Sequence, residues 1–258
     1  MTTPRTPKYV FVTLLIGALL VSPIASDGQD HKAPGHSWDY SKASGPAHWA
    51  ELSPDFATCK LGHHQSPIDI RETKKADLPP ILFDYKPSLL QIIDNGHTVE
   101  VDYPPGSSIS VGGKTYQLVQ FHFHHPSEAQ IRGKRSELEM HLVHSDAEGN
   151  RVVVAVLINA GRSNDFLQSI FVHVPHEKGK EEATGVTVDA TTLLPESRAY
   201  FTFPGSLTTP PCSENVTWFV LKNPVEASSS QIKMFAKIYK NDARPVQPLA
   251  GRTVLESQ

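Results

Sequence analysis

Residues 120 to 130 have the sequence "QFHFHHPSEAQ", which places three histidines, His122, His124 and His125, within four positions. The flanking residues favour a β-strand, in which side chains at i and i+2 point to the same face. His122 and His124 are therefore expected to project together with Gln120, and His125 to point away. Such a concentration of imidazole indicates a metal site, a proton relay or an imidazole-rich core.

A second alternating segment, "LEMHLVHS" at residues 138 to 145, supplies a further histidine. His141 follows His124 by 17 positions, and Glu139 stands two positions before it. If the two strands pair, three imidazoles converge, and three histidine ligands with an open fourth position are typical of a catalytic zinc site. Gln120 and Glu139 are placed to accept hydrogen bonds from the ligands' other ring nitrogens. Two core histidines would give the same His-x-His pattern, so the third histidine and the polar partners favour the metal.

The bulk composition narrows the function classes. The chain has 258 residues and a net charge of -3, and 13 histidines are its one conspicuous excess. This length suffices for one large domain or two small ones. Neither half is strongly basic, which argues against nucleic acid as a partner.

The N-terminus has the features of a secretory signal. Arg5 and Lys8 precede an apolar run over residues 9–21, and small residues follow at Ala25 and Ser26. The run is short for a membrane span of about 20 residues, which favours a cleaved signal over an uncleaved anchor. Residues 1–26 are therefore predicted to be a signal peptide and residues 27–258 the exported domain.

Only two cysteines are present, Cys59 and Cys212. An even pair in an exported protein favours one disulfide, and two free buried thiols are the alternative.

From about residue 66 the chain consists of short extended runs separated by turn signals. "DNG" at residues 94–96 and "GG" at residues 112–113 predict hairpins, and "RVVVAVLINAG" predicts a central strand buried on both faces. Helices are predicted only over residues 164–172 and 228–239. The pattern indicates one mainly β domain with short peripheral helices.

Taken together, "QFHFH", "LEMHLVH", "GSLTTPPC" and "QSPIDI" resemble the motifs of the alpha-class carbonic anhydrases. Their order and spacing match over residues 36–256, and "HPSE" and "ARPVQPL" are similar to bacterial members. The resemblance implies a single domain on a large twisted, mostly antiparallel sheet, and a disulfide between Cys59 and Cys212.

Residue by residue, the resemblance implies the following roles. His122, His124 and His141 hold zinc, with Gln120 and Glu139 as outer partners. Thr208, Glu128 and His97 are catalytic, and His97 is the proton shuttle. The side chains expected to bind substrate are Val143, Val153, Leu207, Thr208, Thr209, Val216 and Trp218. Tyr40 and Asn95 are expected to order water on the opposite wall.

The implied activity is reversible hydration of carbon dioxide to bicarbonate and a proton. It requires one Zn²⁺ per chain, whose bound hydroxide attacks the carbon, and ester hydrolysis is an implied side activity. Carbon dioxide and bicarbonate are then the small-molecule partners. The protein is expected to be periplasmic or secreted, without stable membrane insertion after signal cleavage, and dimeric bacterial members make a homodimer plausible.

Two departures from the family pattern bear on the site. Glu100 stands where many relatives carry asparagine or glutamine facing the cavity, and a carboxylate there is expected to raise the pKa of His97 or of the zinc water. Ala250 replaces an asparagine whose backbone carbonyl is expected to support His124. His144 is expected on the same strand face as His141 and is interpreted as a core histidine, not a fourth ligand.

Three other functions are consistent with parts of this pattern. A non-catalytic binding module on the same scaffold typically lacks one or more metal histidines, and all three are present. A zinc peptidase is disfavoured because no "HExxH" occurs. A periplasmic zinc store would lack proton-coupled hydration.

Overall fold

The computed structural model describes residues 37–258, apart from the side chains of residues 181–184. The predicted signal peptide lies outside the described residues. The strands are β1 (Asp69–Ile70), β2 (Lys74–Lys75), β3 (Leu82–Asp84), β4 (Ser88–Asp94), β5 (Val99–Asp102), β6 (Ser108–Val111), β7 (Lys114–His124), β8 (Gln130–Ile131), β9 (Leu138–Ser145), β10 (Arg151–Ala160), β11 (Glu181–Val188), β12 (Tyr200–Ser206), β13 (Glu214–Leu221), β14 (Val225–Ala227) and β15 (Leu255–Glu256). The helices are α1 (Trp49–Leu52), α2 (Thr58–Leu61), α3 (Asp165–Phe171) and α4 (Ser229–Ile238), and 3-10 turns cover Pro54–Phe56 and Ala190–Leu193.

Thirteen of these strands form one large sheet with the central order β11-β4-β5-β7-β9-β10-β13-β12-β15-β2. Most neighbours are antiparallel; the parallel pairs in this sheet are β10–β13, β10–β14 and β15–β2. Strands β1 and β8 form a separate two-stranded sheet. The predicted mainly β fold on a twisted, mostly antiparallel sheet is confirmed.

Strand β10 is the centre of the core. Its residues from Val152 to Ile158 are all buried, and they alternate between two apolar clusters. Val152 and Val154 belong to the larger cluster, which also contains residues of α3 and α4, and Val153 belongs to a smaller one on the other face. The prediction of a central strand buried on both faces is confirmed.

The predicted hairpins and helices also form. Strands β4 and β5 are joined at the "DNG" turn, and β6 and β7 at Gly112 and Gly113, whose φ values of 58° and 78° suit the left-handed turn that joins such strands. Asn164 caps α3, and Ser228 with Gln231 forms a capping box on α4. Both helices start where the capping residues predict.

Strand β7 contains a β-bulge that reverses its facing pattern. Its register with β9 shifts between Leu118 and Gln120, which leaves Val119 as an extra residue. Before the bulge Tyr116 and Leu118 face the larger cluster, and after it Phe121 and Phe123 do. The bulge therefore moves the even-numbered residues from 120 onward to the opposite side of the sheet.

The disulfide is present and joins Cys59 in α2 to Cys212. Both cysteines pack with Trp49 and Phe56 in a small cluster that Trp38 and Tyr40 partly cover. The pair ties the irregular N-terminal segment to the segment that follows β12. The alternative of two free thiols is wrong.

His144 lies on the core side of β9, opposite to His141, so the expectation of a shared face is wrong: residues three positions apart in a strand point to opposite sides. It is fully buried, and its Nε2 lies 2.8 Å from the Tyr85 hydroxyl. Burial lowers the pKa of His144 from 6.5 to about 3, so the ring is neutral in the folded protein. This contact confirms a core histidine.

The burial of His144 predicts a pH dependence of stability. Because the unfolded state takes up a proton near pH 6.5 and the folded state does not, the free energy of unfolding falls as pH decreases below about 6.5. In His144→Gln, the slope between roughly pH 4 and 6 should be smaller by about 1.4 kcal/mol per pH unit. Urea unfolding of the metal-free protein measures it, with the exposed His176→Gln as control. Equal slopes in wild type and His144→Gln would contradict the assignment.

Candidate metal centre

Three histidines converge on the face of the sheet opposite to the larger core. His122 lies directly across from His141 in the β7–β9 register, and His124 lies across from Glu139. One ring nitrogen from each of His122, His124 and His141 lies within 4.8 Å of the others. His124 and His141 are buried, and His122 is half-buried. Strands β7 and β9 therefore pair, which is the condition that the sequence analysis set for the three histidines to converge.

Each imidazole has its other nitrogen near an oxygen. His122 Nδ1 lies 2.8 Å from Gln120 Oε1, and His124 Nδ1 lies 2.8 Å from the backbone oxygen of Asp242. His141 Nε2 approaches Glu139 Oε1 to 3.1 Å, while Glu139 Oε2 accepts from Ala129 N. These oxygens leave one nitrogen of each ring to face the centre of the triad.

The donor set fits a divalent cation such as zinc. Nε2 of His124 is buried and has no hydrogen-bond partner among the described residues. Burial, with added repulsion from neighbouring imidazoles, holds the pKa values of His122 and His141 well below 6.5. The rings of His122 and His141 are therefore neutral at pH 7, which is the form that binds a metal.

Glu128 borders the triad and is fully buried. Its Oε1 accepts from the backbone nitrogen of Arg244 at 2.8 Å, and its Oε2 lies 3.6 Å from His124 Nε2. Burial raises the pKa of Glu128 to about 8, and the hydroxyl of Thr208 opposes that shift. Among the described residues no hydrogen bond within 3.5 Å joins Glu128 Oε2 to Thr208 or to any other group. The predicted carboxyl thus borders the triad with one oxygen unpaired, and its pairing with the Thr208 hydroxyl stays a prediction.

The predicted substrate-binding residues line one apolar surface beside the triad. Val153, Val216 and Trp218 are buried in the smaller cluster, and Val143 and Leu207 pack against it. Trp218 also contacts His141 edge-on, with 4.9 Å between ring centroids. Thr209 follows Thr208 in the chain, and the backbone oxygen of Thr209 accepts a hydrogen bond from the backbone nitrogen of Cys212. A small apolar molecule on this surface would lie next to the imidazoles.

His97 occupies the turn between β4 and β5. Asn95 Oδ1 accepts from the backbone nitrogens of His97 and Thr98, at 3.0 and 2.9 Å. The His97 ring stacks on Trp38, with 3.7 Å between centroids and planes 8° apart. Tyr40 contacts Trp38 edge-on, and burial raises the pKa of Tyr40 well above 10, so its phenol keeps its proton.

One expectation about His124 is wrong. The carbonyl that supports it belongs to Asp242, not to Ala250. Ala250 lies exposed in the turn after the last proline-rich run, whereas Asp242 lies beside the end of β7, where its Oδ1 also accepts from His125 N at 2.7 Å. His125, expected to point away from His122 and His124, is held there through Nδ1 and the backbone oxygen of Lys240.

Asp242 and Arg244 are the functional neighbours that the sequence reasoning missed. Arg244 is buried, and its guanidinium donates to Gln65 Oε1 and to the backbone oxygens of Ser66 and Cys59. The sequence "NDARPVQPL" at residues 241–249 could have indicated them, because Asp242 and Arg244 place two opposite charges in a segment without secondary-structure periodicity.

Comparisons with known proteins point in one direction. A family model described as eukaryotic-type carbonic anhydrase matches residues 44–258. The carbonic anhydrase of Nostoc sp. is 42% identical over 227 residues, 86% of this chain and 86% of the relative, and that of Neisseria gonorrhoeae is 41% identical over 255 residues, 98% of each. The structure of the alpha-carbonic anhydrase from Thermovibrio ammonificans with the inhibitor sulfanilamide matches with a TM-score of 0.83 at 42% identity, covering 86% of this chain and 99% of that one.

The triad predicts one zinc site with three histidine ligands. Replacing His122, His124 or His141 by alanine should weaken zinc binding by more than the roughly 10–100-fold that loss of an outer partner causes. Competition with a chromophoric chelator measures the affinity. His144→Gln, on the other face of β9, is the matched control and should still bind one equivalent. A ligand variant that keeps wild-type affinity would show that the metal binds elsewhere.

Proposed function

The chain belongs to the eukaryotic-type, or alpha, carbonic anhydrase family, and we propose that it hydrates carbon dioxide reversibly with zinc held by His122, His124 and His141. The observation that carries the proposal is the convergence of three imidazoles, each with its other nitrogen near a protein oxygen. The family model and the relatives show that the chain is a carbonic anhydrase. We propose the identity of the zinc ligands and the roles of the individual residues.

Imidazole binds a metal in its uncharged form, so three histidine ligands would leave the charge of the cation undiminished. In carbonic anhydrases, where this property is already established, zinc held by three histidines lowers the pKa of its bound water to about 7. Gln120, Glu139 and the Asp242 carbonyl contribute by keeping each ring in its metal-binding tautomer and orientation.

Thr208 and Glu128 are proposed to select and orient the nucleophile. Burial raises the pKa of Glu128 to about 8, but a divalent cation bound beside it would favour the ionised form. The carboxylate would then accept the hydroxyl proton of Thr208, which leaves the threonine oxygen as an acceptor. The threonine oxygen can then accept a hydrogen bond only from a nucleophile that still carries a proton. This hydrogen bond would turn a lone pair of the nucleophile toward the carbon of the substrate. The Arg244 backbone nitrogen keeps Glu128 in place by occupying its other oxygen.

The apolar surface supplies the site for carbon dioxide. Val143, Val153, Val216, Leu207 and Trp218 offer the substrate no hydrogen bonds, so the molecule lies against them beside the imidazoles. Bicarbonate is charged and gains nothing from this surface, which favours its departure.

His97 is proposed to carry the proton out. Histidine titrates near neutral pH, and a chain of waters can connect it to the reacting group without direct contact. Its turn is fixed through Asn95, and Trp38 supports the ring. Tyr40 and Asn95 are the residues proposed to order the intervening water.

Export is also proposed. The Cys59–Cys212 disulfide supports an oxidising compartment, the periplasm or the exterior. No helix among residues 37–258 is long and apolar enough to cross a membrane. The cleaved signal peptide, the homodimer and the side activity on esters stay predictions.

Stopped-flow hydration of carbon dioxide tests the proposed activity and the shuttle together. The rate should disappear when zinc is chelated and return when zinc is added. In His97→Ala the maximal rate should fall by about 10²-fold, the lower end of the roughly 10²–10⁴-fold that positioned acid–base groups contribute, and imidazole buffer should restore it.

Different outcomes separate the two claims. If His97→Ala hydrates carbon dioxide as fast as the wild type, the zinc chemistry is supported and His97 is not the proton shuttle. A zinc-loaded protein without activity would contradict the proposed function and favour a binding module.

Thr208 is tested with an isosteric pair. Thr208→Val removes the hydroxyl at nearly constant volume and should lower kcat/KM by on the order of 10²-fold, comparable with loss of one positioned hydrogen-bonding group in other active sites. Thr208→Ser keeps the hydroxyl and should retain most activity. Similar losses in the two variants would show that Thr208 acts only by packing.

A further inference from the structure

Glu100 connects two parts of the site that the preceding roles treat separately. It lies in β5 directly across from His122 of β7, and it is half-buried. Its Oε2 accepts from Gln120 Nε2 at 3.2 Å and from Asn95 Nδ2 at 3.3 Å. One carboxylate oxygen therefore collects a donor from each of two amide side chains.

These contacts fix which end of the Gln120 amide faces the triad. An ionised carboxylate only accepts hydrogen bonds, so the Gln120 amide must turn its nitrogen to Glu100. Its oxygen is then directed at His122 Nδ1, 2.8 Å away. Asparagine or glutamine at position 100 could present either a donor or an acceptor, so it would not impose this orientation.

The orientation of Gln120 determines the tautomer of His122. An amide oxygen accepts, so Nδ1 of His122 carries the proton and Nε2 keeps the lone pair that a metal requires. With the amide reversed, its NH₂ group would face Nδ1 and favour the tautomer protonated at Nε2. That tautomer does not bind a metal through Nε2.

The second donor belongs to the turn that carries His97. Asn95 Nδ2 donates to Glu100, and Asn95 Oδ1 accepts from the backbone nitrogens of His97 and Thr98. Each of the two amides therefore accepts at its oxygen and donates its NH₂ group to the same carboxylate. The turn and the ligand are thus linked through Glu100.

We propose that Glu100 is a positioning residue that fixes the Gln120 amide and, through it, the zinc-binding tautomer of His122. The inference rests on the proposed function in one respect, because it takes the histidine triad as the zinc site. The expected effect of the Glu100 charge on the pKa of His97 or of the zinc water stays a separate prediction.

The zinc dissociation constant of the full chain tests this proposal without using activity. Glu100→Ala should raise it by about 3–10-fold, less than the roughly 10–100-fold expected of Gln120→Leu, since Glu100 acts one contact further out. Adding Glu100→Ala to Gln120→Leu should have no further effect, because the amide that Glu100 positions is gone. Glu148→Gln, which removes an exposed carboxylate in a distant turn, is the control for charge.

Exchanging the two side chains provides a rescue. In Glu100→Gln with Gln120→Glu, the carboxylate at position 120 accepts from His122 Nδ1 and from the new amide at position 100. The hydrogen bond between positions 100 and 120 is reversed, but His122 Nδ1 still donates and every donor again faces an acceptor. The exchanged protein should bind zinc within about twofold of wild type, whereas Gln120→Glu alone should bind more weakly because two carboxylates then face each other.

Two results would overturn the proposal. One is an unchanged dissociation constant in Glu100→Ala; the other is a Glu100→Ala effect that persists in full beside Gln120→Leu, which would indicate charge alone. Circular dichroism of each variant confirms folding. Carbon dioxide hydration by the wild type is measured separately, so a zinc-binding but inactive chain would contradict the proposed function and leave the comparison of affinities valid.

Discussion

The extra residue in β7 is the constraint on which the rest of the site depends. Strict alternation would place His122 and His124 on the same face as Tyr116 and Leu118, which is the face of the main core. Because Val119 is inserted against β9, the alternation restarts, and Phe121 and Phe123 take over the core positions. The same strand can therefore bury aromatic rings on one side and present metal-binding imidazoles on the other. A slip of one residue would bury the histidines among phenylalanines.

The segment after α4 holds the assembled site together without regular secondary structure. The Tyr239 hydroxyl donates to Asp94, just before the turn that carries His97. The Asp242 carbonyl orients His124, and the Arg244 backbone nitrogen holds Glu128. These anchors lie within six residues of the sequence, so one irregular segment aligns a ligand, a buried carboxyl and the shuttle turn. Its own position is secured by the buried guanidinium of Arg244, which reaches the disulfide-bonded segment at Cys59.

The sequence predicted the fold and the triad because both depend on short-range patterns. Alternation, turn glycines and serine caps identified β7, β9, the hairpins and α4, and the motif match identified the ligands. The Asp242 carbonyl could not be predicted from a residue type, since every residue has a carbonyl and only tertiary packing chooses one. The bulge in β7 could not be predicted for a similar reason. The sequence "QLVQFHFH" is compatible with an unbroken strand, and only the pairing with β9 decides where the extra residue lies. The role of Glu100 required two partners from separate segments, which no local pattern contains.

The most direct test of this account is anomalous diffraction at the zinc edge from crystals of the zinc-loaded protein. One peak should appear, with Nε2 of His122, Nε2 of His124 and Nδ1 of His141 at about 2.0–2.1 Å. The fourth position should open toward Thr208 and the apolar surface. A peak elsewhere in the chain would contradict the account, and so would a fourth protein ligand such as Glu128 that closes the site.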